Sequence, residues 1–143
     1  MSLEPFTFLG YVDGANHGSW SITSTAWVIF TPSSQVLSSG GSFLGLVTNN
    51  VAEYSTSIEL IVKANTLVIQ QIIIKLDSQL VVYQLNGHYQ VRDPILFRNI
   101  LRVCLLERHF EFIEYIHVPG SSNSLVDSLA NYVLDWHLCH TSF

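Results

Sequence analysis

The sequence predicts an α/β fold: a mixed five-stranded sheet with helices on its faces, in the order βββαβααβα. Three β-type segments with short connections open the chain, which gives an antiparallel meander. Beyond residue 50, helical and strand-type periodicities alternate, which adds crossover helices and further strands. A third observation sets the scale. With 143 residues and 48% apolar side chains, residues 1–143 make one domain with a full core. A cleft between two lobes is excluded, and so is disorder.

Phe6–Asp13 is the first strand, aromatic and β-branched, ended by the turn pair Asp13-Gly14. Ala26–Phe30 is the second, closed by Thr31-Pro32-Ser33-Ser34. Gln35–Leu46 is the third, and its Ser38–Ser42 stretch with Gly40-Gly41 is expected to bulge or bend. Val51 to about Val68 carries apolar residues near helical spacing, at Val51, Tyr54, Ile58, Ile61, Val62 and Leu67. Asn50 and Glu53 have the spacing of a capping pair at its start. Ile72–Asp77 is short and almost wholly apolar, as strands buried on both faces are. Ser78–Leu85 is a helix stopped by Asn86-Gly87, and Pro94 to about Phe110 is another with proline near its first turn. Glu111–Val118 alternates with period two, Pro119–Asn123 is a loop, and Leu125 to about His137 is a final amphipathic helix.

Charged residues are only 12% of the chain, so a charge in apolar surroundings needs a reason. Six basic against eleven acidic residues give −5, which argues against an ordinary nucleic-acid binder unless the acids gather at a metal site. Cys104 and Cys139 make no disulfide framework, and Cys104, in the run Leu101–Leu106, is expected in the core. No secretory signal is visible in Met1–Phe8, and no apolar run reaches the about 18 residues of a membrane span. An intracellular chain, cytoplasmic or nuclear, with no membrane partner is expected.

Two carboxylates, Asp13 and Asp77, end strands. If those strands are parallel neighbours, both acids emerge where α/β sheets place ligands, at the carboxyl ends of the strands. Glu53 and Asp127 fall in the first turns of their helices. Each acid has an ordinary explanation as a turn residue, a cap or a complement to a helix dipole. Convergence of all four would instead serve hard divalent cations, which need oxygen ligands. Two such ions about 3.5–4 Å apart activate a water and stabilise the leaving oxygen in a displacement at phosphorus. Without these four acids the balance is −5 + 4 = −1, permissive for a polyanion.

Four motifs in register, Tyr11-Val12-Asp13-Gly14-Ala15, Thr48-Asn49-Asn50-Val51-Ala52-Glu53, Leu76-Asp77-Ser78-Gln79 and His117-Val118-Pro119-Gly120 with Asn123 and Asp127-Ser128-Leu129-Ala130-Asn131, resemble type 1 ribonuclease H. Order and spacing agree over about residues 6 to 135. The stretch Gln84–Pro94 is similar to the archaeal-like ribonuclease H domains of plant retroelement reverse transcriptases. The resemblance implies a ribonuclease H-like fold and an endoribonuclease that cuts the RNA strand of RNA/DNA hybrids. It implies two Mg²⁺ or Mn²⁺ ions and products with 5′-phosphate and 3′-hydroxyl ends. By position, Asp13 would bridge both metals, Glu53 and Asp77 would hold one, and Asp127 the other. Asn49, Asn50 and Gln79 match positions that contact the hybrid's minor groove, and Thr48 one that seats a DNA-strand phosphate. A monomer is expected, with a reverse transcriptase of the same polyprotein as a candidate partner.

The alternative is a non-catalytic module of the same fold, binding hybrid, duplex RNA or a protein. It is motivated by the low charge, by Ser121-Ser122 directly after Gly120 with no loop histidine, and by a Ser78–Pro94 stretch whose one basic residue is Arg92. His117 ends its strand. His137, Cys139 and His140 cluster near the C-terminus, and imidazole with thiolate can bind zinc, but a fourth ligand is not evident and a tail is the simpler reading. Trp20, Trp27 and Trp136 are read as core or boundary aromatics rather than base-stacking platforms.

Overall fold

The computed structural model describes residues 6–17, 22–87 and 91–118. Within them the chain runs β1 (Thr7–His17), β2 (Ile22–Phe30), β3 (Val36–Leu46), α1 (Asn49–Thr66), β4 (Gln71–Leu76), α2 (Gln79–Leu85), α3 (Pro94–Glu107) and β5 (Phe112–His117). The five strands form one sheet in the order β3-β2-β1-β4-β5. β1 pairs antiparallel with β2, and β2 with β3, while β4 runs parallel to both β1 and β5. The mixed sheet, with its meander on one side and its parallel strands on the other, is as the sequence predicts. The expected final helix, with Asp127, and the residues Trp20, Trp136, His137, Cys139 and His140 lie outside the described residues.

The core forms between the sheet and the helices. Val12, Trp27, Ile29, Ile72, Ile74 and Leu76 come from the strands, and Tyr54, Leu60, Ile61 and Val103 from the helices. In β4 the buried residues alternate, with Ile72, Ile74 and Leu76 enclosed and Gln71, Ile73 and Lys75 half-buried, so one face is less sheltered than its composition suggests. Lys75 on that face stands over the Tyr11 ring, 5.4 Å from its centroid.

Several boundaries move, each for a physical reason. β1 does not end at Asp13-Gly14 but continues to His17, because its partner β2 starts at Ile22 rather than Ala26. The polar run before Ala26 is strand, and Ser24 and Thr25 are buried in it. The bulges in the β2–β3 pairing fall at Thr23/Ser24 and Ile29/Phe30, not at Gly40-Gly41. Gly40 faces Trp27 across the sheet, and a Cβ there would lie 2.6 Å from the indole Cζ2. Glycine is present because the tryptophan occupies its space. α3 stops at Glu107, with Asp93 as its N-cap accepting from the N–H groups of Ile95 and Leu96. On that helix Val103 is buried and Cys104 exposed, so the cysteine is not the core residue its neighbours suggested. Among the described residues, no helix is long and apolar enough to cross a membrane.

Candidate active site

Register brings Asp13 and Asp77 together. The parallel pairing of β1 with β4 runs from Thr7 opposite Gln71 to Val12 opposite Leu76, so Asp13 and Asp77 each follow directly after the last paired residue. β1 nevertheless continues beside β2, with Asp13 opposite Ala26. Asp13 is thus a buried strand residue rather than the start of a turn, 7% exposed, and the Gly14 N–H donates to its Oδ1 at 2.8 Å. Asp77 lies exposed between β4 and α2. It does not cap the helix: Ser78 does, its hydroxyl accepting from the Val81 N–H at 3.3 Å.

Glu53 arrives from α1. That helix is capped by Thr48, whose hydroxyl accepts from the Val51 N–H at 3.2 Å, so Asn50 is not its cap. Glu53 is therefore beyond the first turn, where neither free N–H groups nor the dipole call for an acid. The ordinary explanation available from sequence does not apply. Its side chain is 7% exposed, and Oε2 is buried without a hydrogen-bond partner. Burial, then the charges of Asp13 and Asp77, push its pKa up to about 8.

A buried carboxylate beside two others is unfavourable unless a cation shares the site. The donors are all oxygen, the chemistry hard divalent ions require, and the orphaned Glu53 Oε2 has a coordination position to offer. The donor chemistry of Asp13, Glu53 and Asp77 suits a divalent ion. They sense one another's charge without closing a ligand cage: among the described residues, no three His, Cys, Asp or Glu side chains are arranged to hold a metal by themselves. Asp127, the expected fourth ligand, lies outside the described residues.

The polar residues expected at a substrate surface share this edge of the sheet. Thr48 and Asn49 open α1, and Asn50 follows, its Oδ1 accepting from the Ser78 hydroxyl at 3.5 Å. Gln79 is the first residue of α2, and its Nε2 donates to the Tyr83 hydroxyl at 2.8 Å. His117, at the end of β5, is exposed and level with Leu76. Tyr83 and Ser78 are the contacts that sequence reading missed. Tyr83 was findable from its place one turn after Gln79 on a short helix.

Residues 11–133 match the family model described as reverse transcriptase-like. Ribonuclease HI of Halobacterium salinarum is 35% identical over 125 residues, 87% of this chain and 63% of that protein. The chain thus spans less than two thirds of that relative. The N-terminal ribonuclease H domain of a Mycobacterium tuberculosis protein, solved as a fusion with maltose-binding protein, superposes with a TM-score of 0.87 at 29% identity, covering 96% of this chain and 99% of that one. LC11 ribonuclease H1, solved in complex with an RNA/DNA hybrid, gives 0.84 at 25% identity over 92% and 99% of the two chains. Sheet order, motif positions and these likenesses agree: the chain belongs to the type 1 ribonuclease H family, the family that the reverse transcriptase-like model describes.

Proposed function

We propose that the chain is an endoribonuclease that cleaves the RNA strand of RNA/DNA hybrids by two-metal-ion hydrolysis, leaving 5′-phosphate and 3′-hydroxyl ends. The observation that carries this reading is Glu53, a buried carboxylate that caps nothing, has an orphaned oxygen, and is flanked by Asp13 and Asp77. A protein that only binds gains nothing from such a group facing a polyanion. The relatives, a ribonuclease HI and a ribonuclease H1 solved with an RNA/DNA hybrid, support the same reading.

Asp13, Glu53 and Asp77, with Asp127, would hold Mg²⁺ or Mn²⁺, which would neutralise phosphate charge and polarise the attacking water. Thr48, Asn49, Asn50 and Gln79 would line the hybrid's path, the amide side chains meeting the 2′-hydroxyls that mark RNA. The single domain would act as a monomer inside the cell. A kinship with retroelement domains, and a reverse transcriptase as partner, rests on the Gln84–Pro94 stretch.

The test compares wild type with Asp13→Asn and Asp77→Asn on labelled hybrid and on duplex RNA, with and without divalent metal. Metal-dependent cleavage of hybrid that both variants lose while remaining folded is the expected result. Cleavage unchanged in either variant removes that residue from the site. A wild type that binds hybrid and never cuts it establishes the non-catalytic module instead.

A further inference from the structure

α2 has seven residues, too few to hold its position alone, and its anchorage is visible in its contacts. On the inner side Val81 and Val82 are buried, and the Tyr54 hydroxyl of α1 donates to Gln84 Oε1 at 2.5 Å. At the C-terminal end, Asn86 Nδ2 donates to the Tyr115 carbonyl of β5 at 3.2 Å. These contacts fix the rotation of the helix, and with it the outer face that carries Gln79 and Tyr83. Both of those side chains are exposed, at helical spacing i and i+4, and joined by the 2.8 Å bond from Gln79 Nε2 to the Tyr83 hydroxyl.

That bond restrains the Gln79 carboxamide against rotation. An unrestrained glutamine presents either two N–H donors or a carbonyl acceptor, and rotates between them. With one N–H bonded to Tyr83, the carboxamide is held in one orientation, which leaves its carbonyl oxygen and its second N–H to meet a ligand. A fixed acceptor suits a donor on the nucleic acid, either a ribose 2′-hydroxyl or the guanine amino group of the minor groove. An exposed glutamine otherwise loses rotamer freedom on binding, a cost that the preformed bond has already met.

We propose that Tyr83 is a positioning residue for substrate binding, its hydroxyl orienting the Gln79 carboxamide toward the hybrid. This rests on the hybrid-cleaving reading above and adds a residue to it. Tyr83→Phe removes one oxygen from an exposed ring, and thermal unfolding checks that the fold is kept.

The expected result is a rise in KM for hybrid of about threefold to tenfold, the ratio one hydrogen bond is commonly worth, with kcat held. Gln79→Ala should raise KM at least as far, and adding Tyr83→Phe to Gln79→Ala should do nothing more. A residue that only supported α2 would lower the unfolding temperature and leave this split and this non-additivity absent. Unchanged KM in Tyr83→Phe overturns the proposal, and so does full additivity of the two substitutions. Failure of the nuclease reading is a different result: no cleavage by wild type, whatever stands at 83. In that case Tyr83→Phe and Gln79→Ala are compared by hybrid affinity, where equal and non-additive losses support the orientation and unchanged affinity discards it.

Discussion

The buried acid at the site makes a stability prediction that needs no substrate. Below pH 4.5, the ordinary glutamate value, Glu53 is neutral whether the chain is folded or unfolded, so its burial has no electrostatic cost. Between 4.5 and about 8 the unfolded chain releases the proton and the folded chain keeps it, so stability falls as pH rises. Above about 8 the loss is complete. At ~1.4 kcal/mol per pH unit, the interval from 4.5 to about 8 caps the effect at about 5 kcal/mol. Glu53→Gln keeps the shape and removes the charge. In chelator-treated protein it should be more stable than wild type by about 2 kcal/mol or more near pH 9, and nearly equal to it at about pH 4.5. Urea unfolding at the two pH values measures the difference. Mg²⁺ or Mn²⁺ should then raise the stability of wild type more than that of the variant, because only wild type gains a charged ligand for the ion. Equal stability of the two proteins at alkaline pH would refute the claim that burial and the neighbouring aspartates govern this carboxyl group.

Three further outcomes follow from local geometry. Val68 sits just past the C-cap of α1 at φ 59, with its N–H on the Asn65 carbonyl and the Ile69 N–H on Ala64, a motif that favours glycine. Val68 is 73% exposed, so Val68→Gly should relieve strain at little cost in burial and stabilise the protein by about 1 kcal/mol in denaturant unfolding. Gly40→Ala should destabilise by about 1–3 kcal/mol, since its Cβ would meet the Trp27 ring, and tryptophan fluorescence should report the displaced indole. Thr48→Ala should cost about 1 kcal/mol through loss of the α1 cap, and Thr48→Ser should retain most of that stability.

The architecture was legible because periodicity and turn chemistry reflect the same burial that organises the sheet. Ile72, Ile74 and Leu76 read as a buried strand and are one, and Asn86-Gly87 reads as a helix stop and is one, with Gly87 at φ 78. Legibility failed where a residue's partner is distant in the chain. Gly40 suggests a weakness to any local rule, yet it accommodates Trp27 from the neighbouring strand. Ser24 and Thr25 look like loop residues and are buried in β2. Cys104 looked buried from its apolar neighbours, whereas the exposed face of α3 also carries Leu101 and Leu105.

The acids illustrate the same limit from the opposite side. Local rules supplied bland roles for Asp13, Glu53 and Asp77, as turn, capping pair and helix start, and the structure assigns those tasks elsewhere. The chain runs straight through Asp13-Gly14 as strand, Thr48 caps α1, and Ser78 caps α2. Three carboxyl groups without the roles that local rules gave them, Asp13 in β1, Asp77 just past the parallel β4 and Glu53 buried against both charges, are more informative than their types alone. A fold spends its scarce charges where something outside the chain must be held. In a sequence with only 12% charged residues, an acid that stabilises nothing in its own helix is the clearest mark of where that is.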